Sequence, residues 1–184
     1  MARVIVVGDG PAGLSAALFL AKNGHEVRVY AQDKTAMHYA ELHNYLGFDE
    51  IRGSDFQRKA REQVQRYGAV FHDEQVTEVQ RSGDGFVVHT EHGDEDRADY
   101  IVLAGGKAAQ RLAGQVGAER ADGRVVVDKE YATSVDRVYA VGRVARPDRS
   151  QAIISAGAGA TAALDILARE AGRDVTDWDT PPEE

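Results

Sequence analysis

Three glycines near the start of this 184-residue sequence have a spacing that can bind a diphosphate. Gly8, Gly10 and Gly13 form a Gly-x-Gly-x-x-Gly pattern, in which Pro11 and Ala12 separate the last two glycines. The first glycine permits a tight turn, the second lets the backbone approach a pyrophosphate, and the third lets the following helix pack close to a strand. The unpaired N–H groups at the start of that helix would then face the phosphate oxygens. The spacing therefore predicts a dinucleotide-binding turn.

The position expected to bind the ribose of such a dinucleotide is not acidic in this chain. A dinucleotide-binding fold places a carboxylate at the end of its second strand, where it accepts a hydrogen bond from a ribose hydroxyl. That position is about Ala31, which is followed by Gln32 and Asp33. Asp33 could reach the ribose if the strand continues, and Gln32 could donate a hydrogen bond instead. The diphosphate site does not depend on this contact.

The segments around the glycine turn predict a βαβ unit of about 30 residues. Residues 3–7 are a continuous run of mostly β-branched residues, which is typical of a strand buried on both faces of a parallel sheet. Residues 14–22 contain no helix breaker and are followed by Asn23-Gly24, which favours a helix C-terminus there. Residues 27–30 read as the second strand, so the glycine turn connects a strand to a helix.

The rest of the chain extends this unit to a larger α/β domain. Residues 100–104 and 138–141 predict two more buried strands, and residues 75–79 and 85–90 predict an antiparallel hairpin. We also assign a β-like segment at 69–71 and a strand at 125–128. One helix should be capped by Ser54-Asp55 and end at Gly68, and a last helix should cover 150–170. Residues 31–55 should form an irregular connection and residues 94–96 a solvated turn. We therefore predict a doubly wound, Rossmann-like α/β fold with a parallel sheet and a small antiparallel β layer. Its ligand should lie at the carboxyl ends of the parallel strands.

The composition excludes several kinds of chemistry. The chain has no cysteine, so it holds no disulfide, zinc–thiolate site or thiol nucleophile. It has 30 acidic and 22 basic residues, and no basic cluster is long enough to follow a phosphate backbone, so we expect no nucleic-acid partner. No apolar run approaches the roughly 20 residues that cross a bilayer, and no signal peptide precedes the glycine turn. We expect no metal site, no membrane partner and a cytoplasmic location.

Five segments of the chain resemble the FAD domain of the thioredoxin reductase family. Residues 8–17 resemble the start of that domain. Residues 43–48 resemble a Glu-Asn-(aromatic)-Pro-Gly segment whose asparagine lies near the flavin, and residues 99–106 resemble a strand ending in Ala-Thr-Gly. Residues 132–143 resemble a Thr-Ser motif ending in Gly-Asp, and residues 151–163 resemble a helix whose N-terminus faces the flavin ring. The segments follow the family's order and cover most of residues 1–170.

The resemblance implies an FAD-binding flavoprotein. It places the adenine near the backbone of Val76 and the isoalloxazine near Asn44 and the N–H groups of residues 151–153. A helix N-terminus there would stabilise negative charge on the reduced ring. No catalytic residue is assigned. Together, the glycine spacing and the resemblance predict the following cofactor-binding residues: Gly8, Gly10, Pro11, Ala12, Gly13, Gln32, Asp33, Asn44, Val76, Ala104, Gly105, Gly106, Gly142, Arg143, Gln151, Ala152 and Ile153.

The chain also departs from the family. The short segment 107–122 stands where the family has an NADPH domain, and the redox cysteine pair of that domain is absent. Gly105 replaces the threonine of Ala-Thr-Gly. Arg143 replaces an aspartate that contacts the ribityl and phosphate part of FAD; it could pair with a pyrophosphate oxygen, or it could leave that end of FAD less well held. We expect a single FAD-binding domain at 1–172 and an acidic, flexible tail at 173–184.

These features suggest one leading function and two alternatives. The leading function is an oxidoreductase or electron-transfer protein, not a dithiol reductase, with an unknown redox partner or small-molecule electron donor. The first alternative is a non-catalytic module that binds FAD or another dinucleotide and acts by protein contact, which Ala31 and Arg143 motivate. The second is an NAD(P)-binding oxidoreductase, which the matches at Asn44, Gly142 and Gln151 disfavour. A homodimer is a possible assembly, because a domain without its usual companion exposes the surface that the companion would cover.

Overall fold

The computed structural model describes residues 1–181 as twelve strands, four α-helices and two 3₁₀ turns. The strands are β1 Arg3–Val7, β2 Glu26–Tyr30, β3 Glu41–Leu42, β4 Ile51–Arg52, β5 Val70–His72, β6 Val76–Ser82, β7 Gly85–Thr90, β8 Glu95–Ala98, β9 Tyr100–Leu103, β10 Arg120–Ala121, β11 Arg124–Val125 and β12 Val138–Ala140. The helices are α1 Pro11–Lys22, α2 Gly53–Arg66, α3 Lys107–Gln115 and α4 Ala152–Ala171, and the 3₁₀ turns are Ala36–Tyr39 and Gly142–Val144.

Five of these strands form a parallel sheet in the order β12-β9-β1-β2-β5. The register places Val7 opposite both Tyr30 and Leu103, and it places Ala140 opposite Leu103. Four strands therefore end at the same edge of the sheet. The loops that leave these strands must start side by side at that edge, which is where a ligand binds in an open α/β sheet.

The sheet is buried on both faces, and this explains the continuous apolar runs in its strands. Side chains alternate along a strand, so Val4 and Val6 face a core shared with α1 and α4, whereas Ile5 and Val7 face the opposite core. The second core lies between the parallel sheet, α3 and an antiparallel sheet of β6, β7 and β8. The prediction of a doubly wound α/β fold with a small antiparallel layer is confirmed.

Two strand predictions need correction. The β-like segment predicted at 69–71 was not counted among the strands of the parallel sheet, but β5 joins that sheet beside β2, with His72 opposite Tyr30. Residues 94–96 are not simply a solvated turn, because β8 begins at Glu95 and pairs with β7. Asp96 accepts hydrogen bonds from the side chains of Arg28 and Tyr30 on β2. The charges of this segment predicted that it faces solvent, but the hydrogen-bond partners of Asp96 lie in the parallel sheet.

The helix and loop boundaries also differ from the predictions. Ser54 and Asp55 do not cap α2, which begins at Gly53 after Arg52 and has no side-chain cap. A side chain at Gly53 would meet the carbonyl oxygen of Met37 at 2.0 Å, so close packing decides where this helix starts. The segment 107–122 contains helix α3. In place of the predicted strand at 125–128 there is the two-residue strand β11, which pairs with β10. The connection at 31–55 includes a 3₁₀ turn and the paired strands β3 and β4.

Helix α4 is a core helix with an apolar composition. Among the described residues, it is the one helix long and apolar enough to cross a membrane by length and composition alone. However, 44% of its most apolar stretch is buried inside the protein. Ala158, Ala162 and Ala163 pack in the core that α4 shares with α1.

The C-terminal segment runs back to α1. Lys22 in the last turn of α1 donates a hydrogen bond of 3.0 Å to Asp177, and Val175 packs against the core. These contacts give the acidic segment a point of attachment. The flexibility of residues 173–184 stays a prediction, and residues 182–184 lie outside the described part of the chain.

Candidate functional site

A cleft of about 360 Å³ opens at the carboxyl edge of the parallel sheet. It is bounded by the loops after β1, β9 and β12, by the start of the 31–55 connection and by the start of α4. Most of the predicted cofactor-binding residues meet here, although they are spread over the whole sequence. Its lining residues are Gly8, Asp9, Gly10, Pro11, Ala12, Lys34, Thr35, Ala36, Met37, Ala104, Gly105, Gly106, Gly142, Arg143, Ser150, Ala152 and Ser155.

The three glycines of the first turn occupy three different environments. Gly8 has φ +107°, and a Cβ there would lie 2.7 Å from the Cα of Gly105. A Cβ at Gly13 would lie 1.9 Å from the carbonyl oxygen of Gly8, so α1 packs directly against the turn. A Cβ at Gly10 would meet no atom within 4 Å. Gly10 lines the cleft, so the backbone at this position is open to a ligand, as a diphosphate site requires.

Three helices begin at the cleft, and none has a side chain that caps its N-terminus. Gly10 precedes α1, Gly106 precedes α3 and Gln151 precedes α4, and no acidic residue occupies the first turn of any of these helices. The free N–H groups at a helix start carry a partial positive charge. Because the three helix starts converge on one cleft, they favour an anion there.

Two cationic side chains add to this positive potential. Lys34 and Arg143 both line the cleft. Within the described residues, Arg143 makes no ion pair, and its Nε donates only a long hydrogen bond of 3.4 Å to Ser150. Lys34 donates to the side chain of Gln32 at 2.9 Å. Nothing in the sequence pointed to Lys34, because it lies in a connection without a motif or a periodic pattern.

Helix α2 fixes the glycine turn from behind. Arg61 forms an ion pair with the buried carboxylate of Asp9, and the fully buried Gln57 donates a hydrogen bond of 2.7 Å to the Asp9 carbonyl oxygen. Burial is the largest effect on the pKa of Asp9 and raises it, Arg61 opposes that rise, and the charge of Asp33 adds to it. Gln57 and Arg61 are four residues apart and therefore share one face of α2. In the sequence, only the i, i+4 spacing of these two polar residues indicates that both could contact the glycine turn.

A second, smaller cleft of about 140 Å³ continues the first one toward β5. Gln32 and Val76 line it, as the sequence predicted for the ribose and adenine end. Asp33 lines neither cleft. It has φ +50°, and its carboxylate contacts His38 at 3.1 Å and Gln57 at 3.3 Å on the α2 side. The two clefts share the residues Gly8, Asp9, Lys34 and Gly105, so they form one continuous groove.

The opposite end of the groove lies between the 31–55 connection and the start of α4. The side chain of Asn44 donates a hydrogen bond of 3.2 Å to that of Gln151, which is 107 positions away in the sequence. Ala152 lines the cleft, whereas Asn44, Gln151 and the 37% exposed Ile153 line neither cleft. The two residues that the sequence assigned to the flavin ring are therefore neighbours in space.

Comparison with known proteins identifies a family for this chain. The profile of the family described as "Pyridine nucleotide-disulphide oxidoreductase" matches residues 2–69 and 49–163. The chain is 32% identical over 115 residues to a thioredoxin reductase of Streptomyces clavuligerus, a match that covers 60% of this chain and 36% of the relative. It is 34% identical over 110 residues to a ferredoxin–NADP reductase of Ignicoccus hospitalis, which covers 56% of this chain and 36% of the relative. The chain thus spans little more than a third of these curated relatives.

Solved structures show the same fold. A thioredoxin reductase from Gloeobacter violaceus superposes with a TM-score of 0.84 at 18% identity, covering 98% of this chain and 99% of that one. An atypical thioredoxin reductase from Desulfovibrio vulgaris Hildenborough superposes with a TM-score of 0.83 at 19% identity, covering 91% of this chain and 97% of that one.

Proposed function

Because the chain belongs to the pyridine nucleotide-disulphide oxidoreductase family, we propose that it is a flavoprotein oxidoreductase that binds FAD and exchanges electrons with a partner outside the chain. The observation that carries this proposal is the open backbone at Gly10, in a groove where three uncapped helices begin. That arrangement suits a ligand with a diphosphate in its middle and a ring system at each end.

The residues that line the groove are compatible with the diphosphate and adenosine parts of FAD. The N–H groups of residues 12–13 at the start of α1 would bind the diphosphate, and Val76 and Gln32 would border the adenosine. Asn44 and the start of α4 would border the flavin ring. FAD would supply hydride or single-electron transfer. The chain's part is to position the ring and to set its electrostatic surroundings, and the uncapped start of α4 would favour negative charge on it.

Arg143 would contribute to the diphosphate site. The family's aspartate at this position is replaced by a guanidinium, which no carboxylate in the described structure neutralises. Charge-assisted hydrogen bonds from arginine to phosphate are among the strong ones in proteins. Of the two interpretations of Arg143, the position of its side chain in the cleft favours pairing with a phosphate oxygen.

The electron partner would have to reach the flavin from outside. The chain has no cysteine, so it cannot pass electrons through a dithiol of its own. The segment 107–122 is too short for a nucleotide-binding domain and is occupied by α3 and β10. A single FAD-binding domain at 1–172 would therefore use a small-molecule donor or a separate redox protein.

A soluble, cytoplasmic homodimer is part of this proposal. Two large apolar side chains of the 31–55 connection are exposed, Tyr39 at 94% and Leu46 at 89%. Exposed apolar side chains that lie close together are typical of a contact surface. Light scattering of the purified protein tests this assembly, and a monomer at all concentrations would contradict it.

The visible spectrum of the purified protein tests the cofactor. We expect bound FAD that is bleached under anaerobic conditions by NADH, NADPH or a reduced dye. Bound FAD that none of these donors reduces would favour the non-catalytic module, which Ala31 and Arg143 had suggested. A colourless protein that binds NAD(P) but not added FAD would favour the nicotinamide-dependent alternative. A colourless protein that binds neither would contradict the proposal.

A further inference from the structure

The smaller cleft contains a carboxylate that the sequence could not assign. Glu74 lies two residues beyond the end of β5, and β5 is the neighbour of β2 in the sheet. Because His72 is opposite Tyr30, Glu74 lies beside the end of β2, where Ala31 stands in place of the usual acidic residue. Both Glu74 and Ala31 line the cleft at the adenosine end of the groove.

The carboxylate of Glu74 is unpartnered in the described part of the chain. Within residues 1–181 it takes part in no hydrogen bond or ion pair, and its Oε2 atom is inaccessible to solvent although the residue is only half-buried. A carboxylate oxygen that is shielded from water and has no donor costs free energy, which a hydrogen bond from a ligand would recover. The structure therefore leaves a strong acceptor unsatisfied at the edge of the proposed ligand site.

Several other polar side chains near this cleft are already engaged. Gln32 accepts from Lys34 at 2.9 Å and donates to Glu91 at 2.6 Å, so both ends of its amide are used. Asp33 faces α2 instead of the cleft, and the carboxylate of Asp9 pairs with Arg61. Gln75 also lines the cleft, but its exposed side chain is a neutral amide. Among the described residues that line this cleft, Glu74 is thus the carboxylate that no other side chain engages.

We propose that Glu74 binds the adenosine ribose of the dinucleotide, replacing from β5 the carboxylate that β2 lacks. Phosphate oxygens are acceptors and would be repelled by this side chain, whereas the 2′- and 3′-hydroxyls of a ribose are donors that a carboxylate can accept from. The inference rests on the proposed binding of a dinucleotide, but it concerns only the adenosine half that FAD shares with other dinucleotides.

The test uses ADP and 2′-deoxy-ADP, titrated calorimetrically into the full-length chain. The unaltered protein should bind ADP about tenfold more tightly than 2′-deoxy-ADP. In Glu74→Gln and Glu74→Ala the affinity for ADP should fall by about ten- to a hundredfold, and the preference for ADP over 2′-deoxy-ADP should disappear in Glu74→Ala.

The matched control is Asp73→Asn, which removes the same charge from an exposed neighbour on the same loop. If Glu74 acted only through long-range charge, removing it would tighten the binding of anionic ADP, as Asp73→Asn should do slightly. The two variants should therefore change the affinity in opposite directions. Circular dichroism of the Glu74 variants separates loss of binding from loss of fold.

The outcomes separate this inference from the proposed function. If the Glu74 variants keep the preference for ADP, Glu74 does not bind the ribose. That result leaves the flavin proposal intact. A protein that binds ADP but not FAD, and that prefers ADP to 2′-deoxy-ADP only when Glu74 is present, would support the role of Glu74 and overturn the flavin proposal. A chain that binds neither ADP nor FAD overturns both.

Discussion

A carboxylate lies inside the turn that should bind a diphosphate. Asp9 stands between Gly8 and Gly10, and its charge would repel phosphate if nothing compensated it. Arg61 supplies the compensation through an ion pair, and its guanidinium is itself held over the ring of Phe71 at 4.4 Å. The turn therefore offers its N–H groups to a ligand while its net side-chain charge stays near zero.

The glycines of this turn should respond differently to substitution. Gly10→Ala places a methyl group in the open cleft, so we expect the Kd for FAD to rise at least about tenfold while stability falls by about 1 kcal/mol or less. Gly13→Ala places a methyl group 1.9 Å from a carbonyl oxygen, so we expect about 1–3 kcal/mol of destabilisation or more. Flavin fluorescence titration and urea unfolding measure the two effects. Equal loss of stability in both variants would contradict this account of the turn.

Helices α1 and α4 approach each other closely at a single glycine. A Cβ at Gly159 would lie 2.0 Å from the carbonyl oxygen of Ala12, next to the diphosphate turn. Since the carbonyl belongs to the first turn of α1, any separation of the two helices would also displace the N-terminus that faces the cleft. The element that supports the site is therefore this helix pair.

Two alanine substitutions on α4 test this contact. Gly159→Ala should destabilise the protein by about 1–3 kcal/mol or more through overpacking and should weaken FAD binding as well. Gly157→Ala is the matched control, because a Cβ there meets nothing within 4 Å and alanine is the better helix former. We expect that variant to gain about 0.5–1 kcal/mol. Chemical denaturation measures both, and a stable Gly159→Ala variant would show that the helices can separate without cost.

Strand β8 connects the antiparallel layer to the parallel sheet through Asp96. Burial acts to raise the pKa of Asp96, but hydrogen bonds from Arg28 and Tyr30 outweigh it and hold the pKa below its usual value. The stabilisation by Asp96 is therefore fully present above the unfolded-state value of 3.8 and is lost as the pH falls through the lower, folded-state pKa.

Replacing Asp96 should accordingly have a pH-dependent effect. Asp96→Asn should lower the free energy of unfolding by about 1–2 kcal/mol near pH 7, because Arg28 loses a charged partner that is only partly screened by solvent. The difference from the unaltered protein should shrink below pH 4, where that protein loses the same interaction. Asp94→Asn, at an exposed position just before β8, should change little at either pH. A constant difference from pH 7 to pH 3 would contradict the assigned role.

The whole molecule carries a net charge of −8, yet Lys34 and Arg143 line its main cleft. The helix starts, Lys34 and Arg143 make a local positive region on an acidic protein, so ligand affinity should decrease as salt screens it. The acidic surface would also repel nucleic acids and other polyanions. We therefore expect the groove to favour a small anion over a polyanion.

Ligand binding should stabilise the whole domain, because the groove is built from all parts of the sequence. At a free FAD concentration of 100 times Kd, stabilisation is about 2.7 kcal/mol, or roughly 5–10 °C in Tm for a chain of this size. Riboflavin, which lacks the diphosphate and the adenosine, is the control and should shift Tm far less. Differential scanning fluorimetry measures both ligands, and equal shifts would place the main contacts away from the diphosphate turn.

The features that the sequence predicted are those encoded within a short stretch of chain. The Gly8–Gly13 spacing and the β-branched run of residues 3–7 fixed the first βαβ unit, because each depends on neighbours in sequence. The parallel sheet followed from the same kind of run at residues 100–104. The charged segment at 94–96 was misassigned, because the partners of Asp96 are 66 and 68 positions away.

What the sequence by itself determined is therefore the fold class and the family, together with the turn suited to a diphosphate. Tertiary structure decided which polar side chains surround that turn. Gln57 and Arg61 reach Asp9 across 48 and 52 positions, and Glu74 lies at the site only because β5 is placed next to β2. The physical reason is that local patterns specify how a segment folds and which face it buries, whereas the order of strands in the sheet sets which distant residues become neighbours.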